Sequence, residues 1–115
     1  MRWKITSSDP NCYEAMDEFA REATKEYQKE IKKLRYWPIR KFLPALEFFT
    51  IKVDDGVILV LPLKLPDFKS LRSLVAKFTG KELGKPKWQE RTTENLRGYL
   101  LKKGINFESV EYIGD

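Results

Sequence analysis

Residues 46–65, LEFFTIKVDDGVILVLPLKL, contain two runs rich in β-branched and aromatic residues on either side of Asp54-Asp55-Gly56. Such runs are typical of β-strands, and an Asp-Gly pair between them is a strong local signal for a hairpin. Pro62 interrupts the second run. Because proline cannot donate a backbone hydrogen bond, that strand is expected to carry a bulge, lie at an edge or end early. The stretch therefore predicts an antiparallel hairpin of residues 46–53 and 57–65.

A long amphipathic helix is predicted upstream of this hairpin, over about residues 10–35. Apolar residues recur there at spacings of three and four, at Met16, Ala20, Ala23, Tyr27, Ile31 and Leu34. Asp9 is suited to the N-cap and Pro10 to the first helical position. Acidic residues lie early in the segment and basic residues late, an order that complements the helix dipole. Pro38 ends the helix, and Pro44 is expected to keep the following linker non-helical.

The flanking segments complete the predicted fold. The sequence pattern predicts a first strand over residues 2–7 and, after the hairpin, a helix that is capped by Asp67 and ends at Gly80. It then predicts a loop (80–89), a short helix capped by Thr92 or Thr93, and a terminal strand (105–113). The sequence thus predicts one α+β domain over residues 1–115, in the order β-α-β-β-α-α-β, with an antiparallel sheet carrying its helices on one face. Discounting one late helix leaves β-α-β-β-α-β, the ferredoxin-like order, with the other sheet face open.

The composition excludes several classes of protein. The chain has no histidine and one cysteine, Cys12, so Ser-His and Cys-His nucleophiles, an internal disulfide and a structural zinc site are not available. Its apolar runs fall short of the roughly 20 residues that span a bilayer. We therefore expect a cytoplasmic, non-catalytic protein without cofactor, metal or membrane contact. Lys and Glu dominate the charged residues, a usage typical of proteins from hot environments.

The most basic segment is residues 29–41, where six basic residues accompany a single acid, Glu30, and two aromatic residues. The candidate binding residues are Lys29, Lys32, Lys33, Arg35, Tyr36, Trp37, Arg40 and Lys41. The net charge of this segment, +5, equals that of the whole chain. Cations that contact phosphates beside rings that stack on bases favour RNA or single-stranded nucleic acid. In a purely structural interpretation, the lysines stabilise the helix end and Trp37 covers the core.

A second basic segment, residues 77–91, has five basic and two acidic residues and contains Trp88. Its candidate binding residues are Lys81, Lys85, Lys87, Trp88 and Arg91. The segment also fits an ordinary solvated loop. The recurrence of tryptophan in two basic segments favours binding, because large exposed aromatic residues are unusual on a small domain.

Three functional hypotheses follow, in decreasing order of support. The first is a non-catalytic nucleic-acid-binding domain that prefers RNA or single-stranded DNA to duplex DNA. The second is a protein-interaction or assembly subunit, of mobile-element or viral origin, that binds a host protein complex or forms a homodimer, with the aromatic residues at the centre of its interface. The third is a metal-dependent nuclease that uses Asp54 and Asp55, although turn chemistry accounts for both residues.

Overall fold

The computed structural model describes residues 1–35, 37–80 and 88–115, with the backbone alone at positions 78, 79 and 88. The predicted order β-α-β-β-α-α-β is confirmed. The elements are β1 (Arg2–Thr6), α1 (Cys12–Lys33), a 3₁₀ segment (Trp37–Leu46), β2 (Phe49–Val53), β3 (Gly56–Val60), α2 (Leu65–Thr79), α3 (Trp88–Lys102) and β4 (Ser109–Gly114).

The four strands form one antiparallel sheet in the order β2-β3-β1-β4. Because β1 and β2 are both antiparallel to β3, they run parallel to each other with β3 between them. In the same way, β3 and β4 run parallel with β1 between them. Two β-α-β units are thus interleaved, which is compatible with a ferredoxin-like arrangement.

The three α-helices have different roles in this arrangement. α1 packs on β2 and β3, and α3 packs on β4 and α1. α2 instead makes its main contacts with the 3₁₀ segment, and the Leu63 amide donates to the Ala45 carbonyl beside it, at 3.1 Å. α2 is therefore the helix added to the β-α-β-β-α-β order, and α3 is the second helix of the sheet.

The core lies between the sheet and α1 and α3. Trp3, Ile5, Leu59 and Val110 have no exposed surface, and the strand register places them on the same side of the sheet. Residues that alternate with them point to the other side, because successive side chains of a strand face opposite ways. Among the described residues, Phe49 and Ile51 on that other side are exposed, and we call this side the open sheet face.

The hairpin differs in detail from its predicted form. Val53 pairs with Gly56, so the two-residue loop is Asp54-Asp55, and Gly56 is already the first residue of β3. A Cβ atom at Gly56 would overlap the carbonyl oxygen of Ile5 in the neighbouring strand. Gly56 is thus required by the close approach of β1. Of the three predicted alternatives, a bulge, an edge position or an early end, the structure shows the early end, since β3 ends at Val60, shortly before Pro62.

Two predicted helix starts are wrong by a few residues. α1 begins at Cys12 and its N-cap is Asn11, because Asp9 Oδ1 accepts the Asn11 amide at 2.9 Å and so closes a turn before the helix. α3 begins at Trp88, inside the predicted loop. Thr93 Oγ1 donates to the Gln89 carbonyl at 2.8 Å, which is a bond within the helix and not a cap.

The segments around α2 show one confirmed and two incorrect predictions. Gly80, in a left-handed conformation with φ of 69°, ends α2 as predicted. The N-cap of α2 is Lys64 and not Asp67. The linker of residues 37–46, predicted to be non-helical, forms the 3₁₀ segment with Pro44 inside it. The fixed φ of proline is compatible with 3₁₀ geometry, which explains why Pro44 does not prevent it.

We predict that Gly56→Ala lowers the free energy of unfolding by about 2–4 kcal/mol, because β3 must move away from the backbone of β1. The matched control is Gly98→Ala, since Gly98 lies exposed in α3 with no atom within 4 Å of an added Cβ. That substitution should stabilise the protein by about 0.5–1 kcal/mol, because alanine favours the helix. Urea denaturation followed by circular dichroism measures both. Equal effects of the two substitutions would contradict the described packing of the hairpin on β1.

Candidate nucleic-acid interface

One strongly basic surface lies where α1 ends and the 3₁₀ segment begins, and we call it the basic corner. Its side chains are all exposed. Its members are Lys29, Lys32, Lys33, Arg35, Trp37, Arg40 and Lys41. All the described candidates from the first basic segment therefore lie in, or between, two elements that contact each other.

The end of α1 positions these side chains. Ile31 is buried and anchors the last turn, which leaves Lys32 and Lys33 on the solvent side. Arg35 has a φ of 51°, a left-handed conformation that is uncommon for a residue with a side chain. The chain leaves the helix there, and Trp37 begins the 3₁₀ segment.

Trp37 is 77% exposed and therefore does not cover the core. The guanidinium carbon of Arg40 lies 5.6 Å from the centroid of its ring, a distance typical of a cation–π contact. This contact restrains the ring while leaving most of its surface accessible. The structural interpretation of Trp37 as a core residue is wrong, and the ring is available to stack on a ligand.

The cations of the basic corner lack ion-pair partners within the described part of the chain. None of its six basic side chains forms an ion pair with a described carboxylate, whereas basic residues elsewhere do. Those paired residues are Lys4, Arg21, Arg97 and Lys103. Charges without an internal counter-ion produce a strong local positive potential, which attracts polyanions.

Two further residues of this surface were not predicted from the sequence. Lys25 and Gln28 line a shallow depression together with Lys29, Lys32, Lys33 and Arg35. Gln28 Nε2 also donates to the Leu43 carbonyl at 3.3 Å, which ties α1 to the 3₁₀ segment. Helical spacing could have indicated them, because each of these two residues precedes a candidate lysine by four positions and so lies on the same side of the helix.

The second basic segment is not brought into the basic corner by the described residues. Tyr36, Lys81, Lys85 and Lys87 lie outside the described residues, and Trp88 is described by its backbone alone. Arg91 is exposed on α3 and lines a pocket with three glutamates of α1. The described geometry of the candidate site therefore rests on residues 29–41.

The geometry of the hairpin does not favour a metal-dependent nuclease. Asp54 and Asp55 are exposed at its tip, and Lys4 Nζ donates to Asp55 Oδ1. This hydrogen bond holds the pKa of Asp55 below its ordinary value. Among the described residues, no three acidic or cysteine side chains lie close enough to hold a metal ion.

None of the described helices has the length and apolar composition needed to cross a membrane.

Comparisons with protein-family models, with curated proteins and with solved structures find no match to this chain.

We predict that Trp37→Ala changes the free energy of unfolding by less than about 0.5 kcal/mol, because an exposed side chain contributes little to packing. Trp3→Ala is the contrast, since Trp3 is fully buried and its ring centroid lies 5.5 Å from that of Tyr112. It should cost about 3–5 kcal/mol. Urea denaturation of both variants provides the comparison, and a large loss of stability in Trp37→Ala would show that this ring packs against the core.

Proposed function

We propose that this protein binds RNA or single-stranded nucleic acid through the basic corner, without catalysis. The observation that carries the proposal is the exposed ring of Trp37, held by Arg40, among six cations without described ion-pair partners. Unpaired bases offer faces for stacking, whereas the bases of a duplex are stacked on one another. A ring accessible at a protein surface therefore favours single strands.

In this proposal, the basic side chains contact phosphates and Trp37 stacks on a base. Lys32, Lys33 and Arg35 follow one another at the end of α1, and Arg40 and Lys41 extend the same charge into the 3₁₀ segment. Binding of this kind releases counter-ions from the nucleic acid, so the affinity falls steeply as salt increases. The contributions of the other candidate binding residues stay predictions; these residues are Tyr36, Lys81, Lys85, Lys87, Trp88 and Arg91. A cytoplasmic location also stays a prediction.

Charge reversal in the basic corner is expected to weaken this binding. The test variant is Lys32→Glu with Lys33→Glu, and the control is Lys69→Glu with Lys102→Glu, at exposed positions on α2 and α3. Both variants change the net charge from +5 to +1. We expect the test variant to lose about tenfold or more in affinity for single-stranded RNA, with a slope of log affinity against log salt smaller by about 2. Fluorescence anisotropy across a salt series measures both quantities.

The control should lose less than about threefold, because it alters only the overall field of the protein. Trp37→Ala, measured in the same assay, should weaken single-strand binding by about tenfold and leave duplex binding nearly unchanged, since stacking contributes about 1–3 kcal/mol per base. Equal losses in the test and control variants, with folding intact by circular dichroism, would contradict binding at the basic corner.

A specific observation also favours the second hypothesis, a subunit that assembles with a protein. Phe49 and Ile51 are 43% and 46% exposed on β2. They lie opposite Val60 and Ile58 of β3 in the strand register, so the open sheet face has a contiguous apolar region. Apolar regions of this kind on small proteins often mark interfaces, and β2 is an edge strand of the sheet that the described residues form, a position that favours pairing with another chain.

If this face forms a homodimer, sedimentation velocity should show a concentration-dependent dimer, and Ile51→Lys should shift it to the monomer. Leu101→Lys is the control, because Leu101 is 69% exposed on α3, away from the open sheet face. A lysine at the centre of the interface would be desolvated there, which costs several kcal/mol when no partner charge is present. A monomer at all concentrations, or a dimer unaffected by Ile51→Lys, would exclude this homodimer.

A further inference from the structure

A pocket with a volume of about 260 Å³ lies between α1 and α3, distinct from the basic corner. Its floor is aromatic. Adjacent rings lie 5.3–6.5 Å apart between centroids, from Tyr99 through Phe19 and Phe48 to Tyr27. Faces of aromatic rings attract cations, and they also pack against methylene groups.

The rim of this pocket is acidic on the side of α1. Glu22, Glu26 and Glu30 line it and follow one another at intervals of four residues. At a rise of 1.5 Å per residue, their backbone positions are about 6 Å apart, and about 12 Å from first to last. α3 contributes Arg91 as the only described basic residue of the pocket lining. Three carboxylates therefore face one guanidinium.

The glutamates of this row repel one another along α1. Like charges four residues apart in a helix repel each other by a few tenths of a kcal/mol per pair. Glu18, one turn earlier, lies 3.4 Å from Lys103 Nζ. In contrast, Glu22, Glu26 and Glu30 have no ion-pair partner among the described residues. The row therefore has room for a cationic ligand along its length.

We propose that the pocket between α1 and α3 binds a linear aliphatic polyamine. Ammonium groups separated by three or four methylenes repeat at about the spacing of one helical turn, which matches the glutamate row. The methylenes and one ammonium group then lie on the aromatic floor. A metal ion fits less well, because no three acidic side chains among the described residues converge on one point. This site is independent of the proposed nucleic-acid binding.

The two tyrosines of the floor stay neutral in this site. Burial raises the pKa of Tyr99 to about 12, and the carboxylates of Glu22 and Glu18 add to the shift. Burial also raises the pKa of Tyr27 far above its ordinary value, although Arg91 acts in the opposite direction. The charge that attracts the ligand therefore comes from the glutamates.

The test is isothermal titration calorimetry of the whole chain with spermidine at low ionic strength. We expect a dissociation constant of about 0.1 mM or lower, weakened about fivefold or more by Glu26→Gln. The control variant, Glu111→Gln, removes an equivalent charge from β4 and should leave the affinity within about twofold. Without ligand, Glu26→Gln should raise the melting temperature by about 1–2 °C, because it removes two repulsive pairs from α1 and only one favourable pair, that of Glu26 with Lys29.

Three outcomes would overturn the proposal. The first is the absence of heat or of a thermal shift at millimolar spermidine in the unaltered protein. The second is equal affinity in Glu26→Gln and in the unaltered protein, which would place the amine elsewhere. The third is binding of Mg²⁺ with the same affinity and the same dependence on Glu26, which would show a general cation site. A rise in melting temperature combined with weaker spermidine binding in Glu26→Gln supports it.

Discussion

The close approach of the hairpin to β1 is the constraint on which the rest of the structure depends. β1 is hydrogen-bonded on both sides, to β3 and β4, and its two largest apolar side chains, Trp3 and Ile5, are fully buried. The hairpin can reach this position because Gly56 has no Cβ to meet the Ile5 carbonyl. Once β1 and β3 are paired, the helix face and the open face of the sheet are fixed by side-chain alternation.

This central pairing also determines where the candidate sites lie. α1 leaves the far end of β1 and returns along the sheet, so its basic C-terminal end and the start of β2 lie near one end of the sheet. α3 then packs beside α1 before entering β4. The basic corner and the pocket thus lie along a single helix, the first at its C-terminal end and the second on the flank that faces α3.

Much of the fold could be predicted from the sequence because its signals are local. The apolar periodicity of α1, the strand runs around residues 54–56 and the stop at Gly80 each depend on neighbouring residues. The loop register could not be predicted, because the position of Gly56 is decided by contact with Ile5, which is distant in sequence. Whether Trp37 is buried or exposed could not be predicted for a related reason. The same local sequence suits a buried or an exposed ring, and the turn at Arg35 decides between them. The aromatic pocket could not be predicted either, because it forms where α1 packs against α3, and no local sequence pattern indicates that contact.

The distribution of charge along α1 has a kinetic consequence. The glutamates of α1 line the pocket on the flank that faces α3, and the lysines of the same turns line the depression of the basic corner, so one helix presents two opposite potentials side by side. A polyanion approaching along α1 is repelled at one position and attracted at the other. Such a gradient orients the encounter before any contact forms, and it acts on the association rate more than on the lifetime of the complex. Added salt would therefore slow arrival at the surface more than it hastens departure.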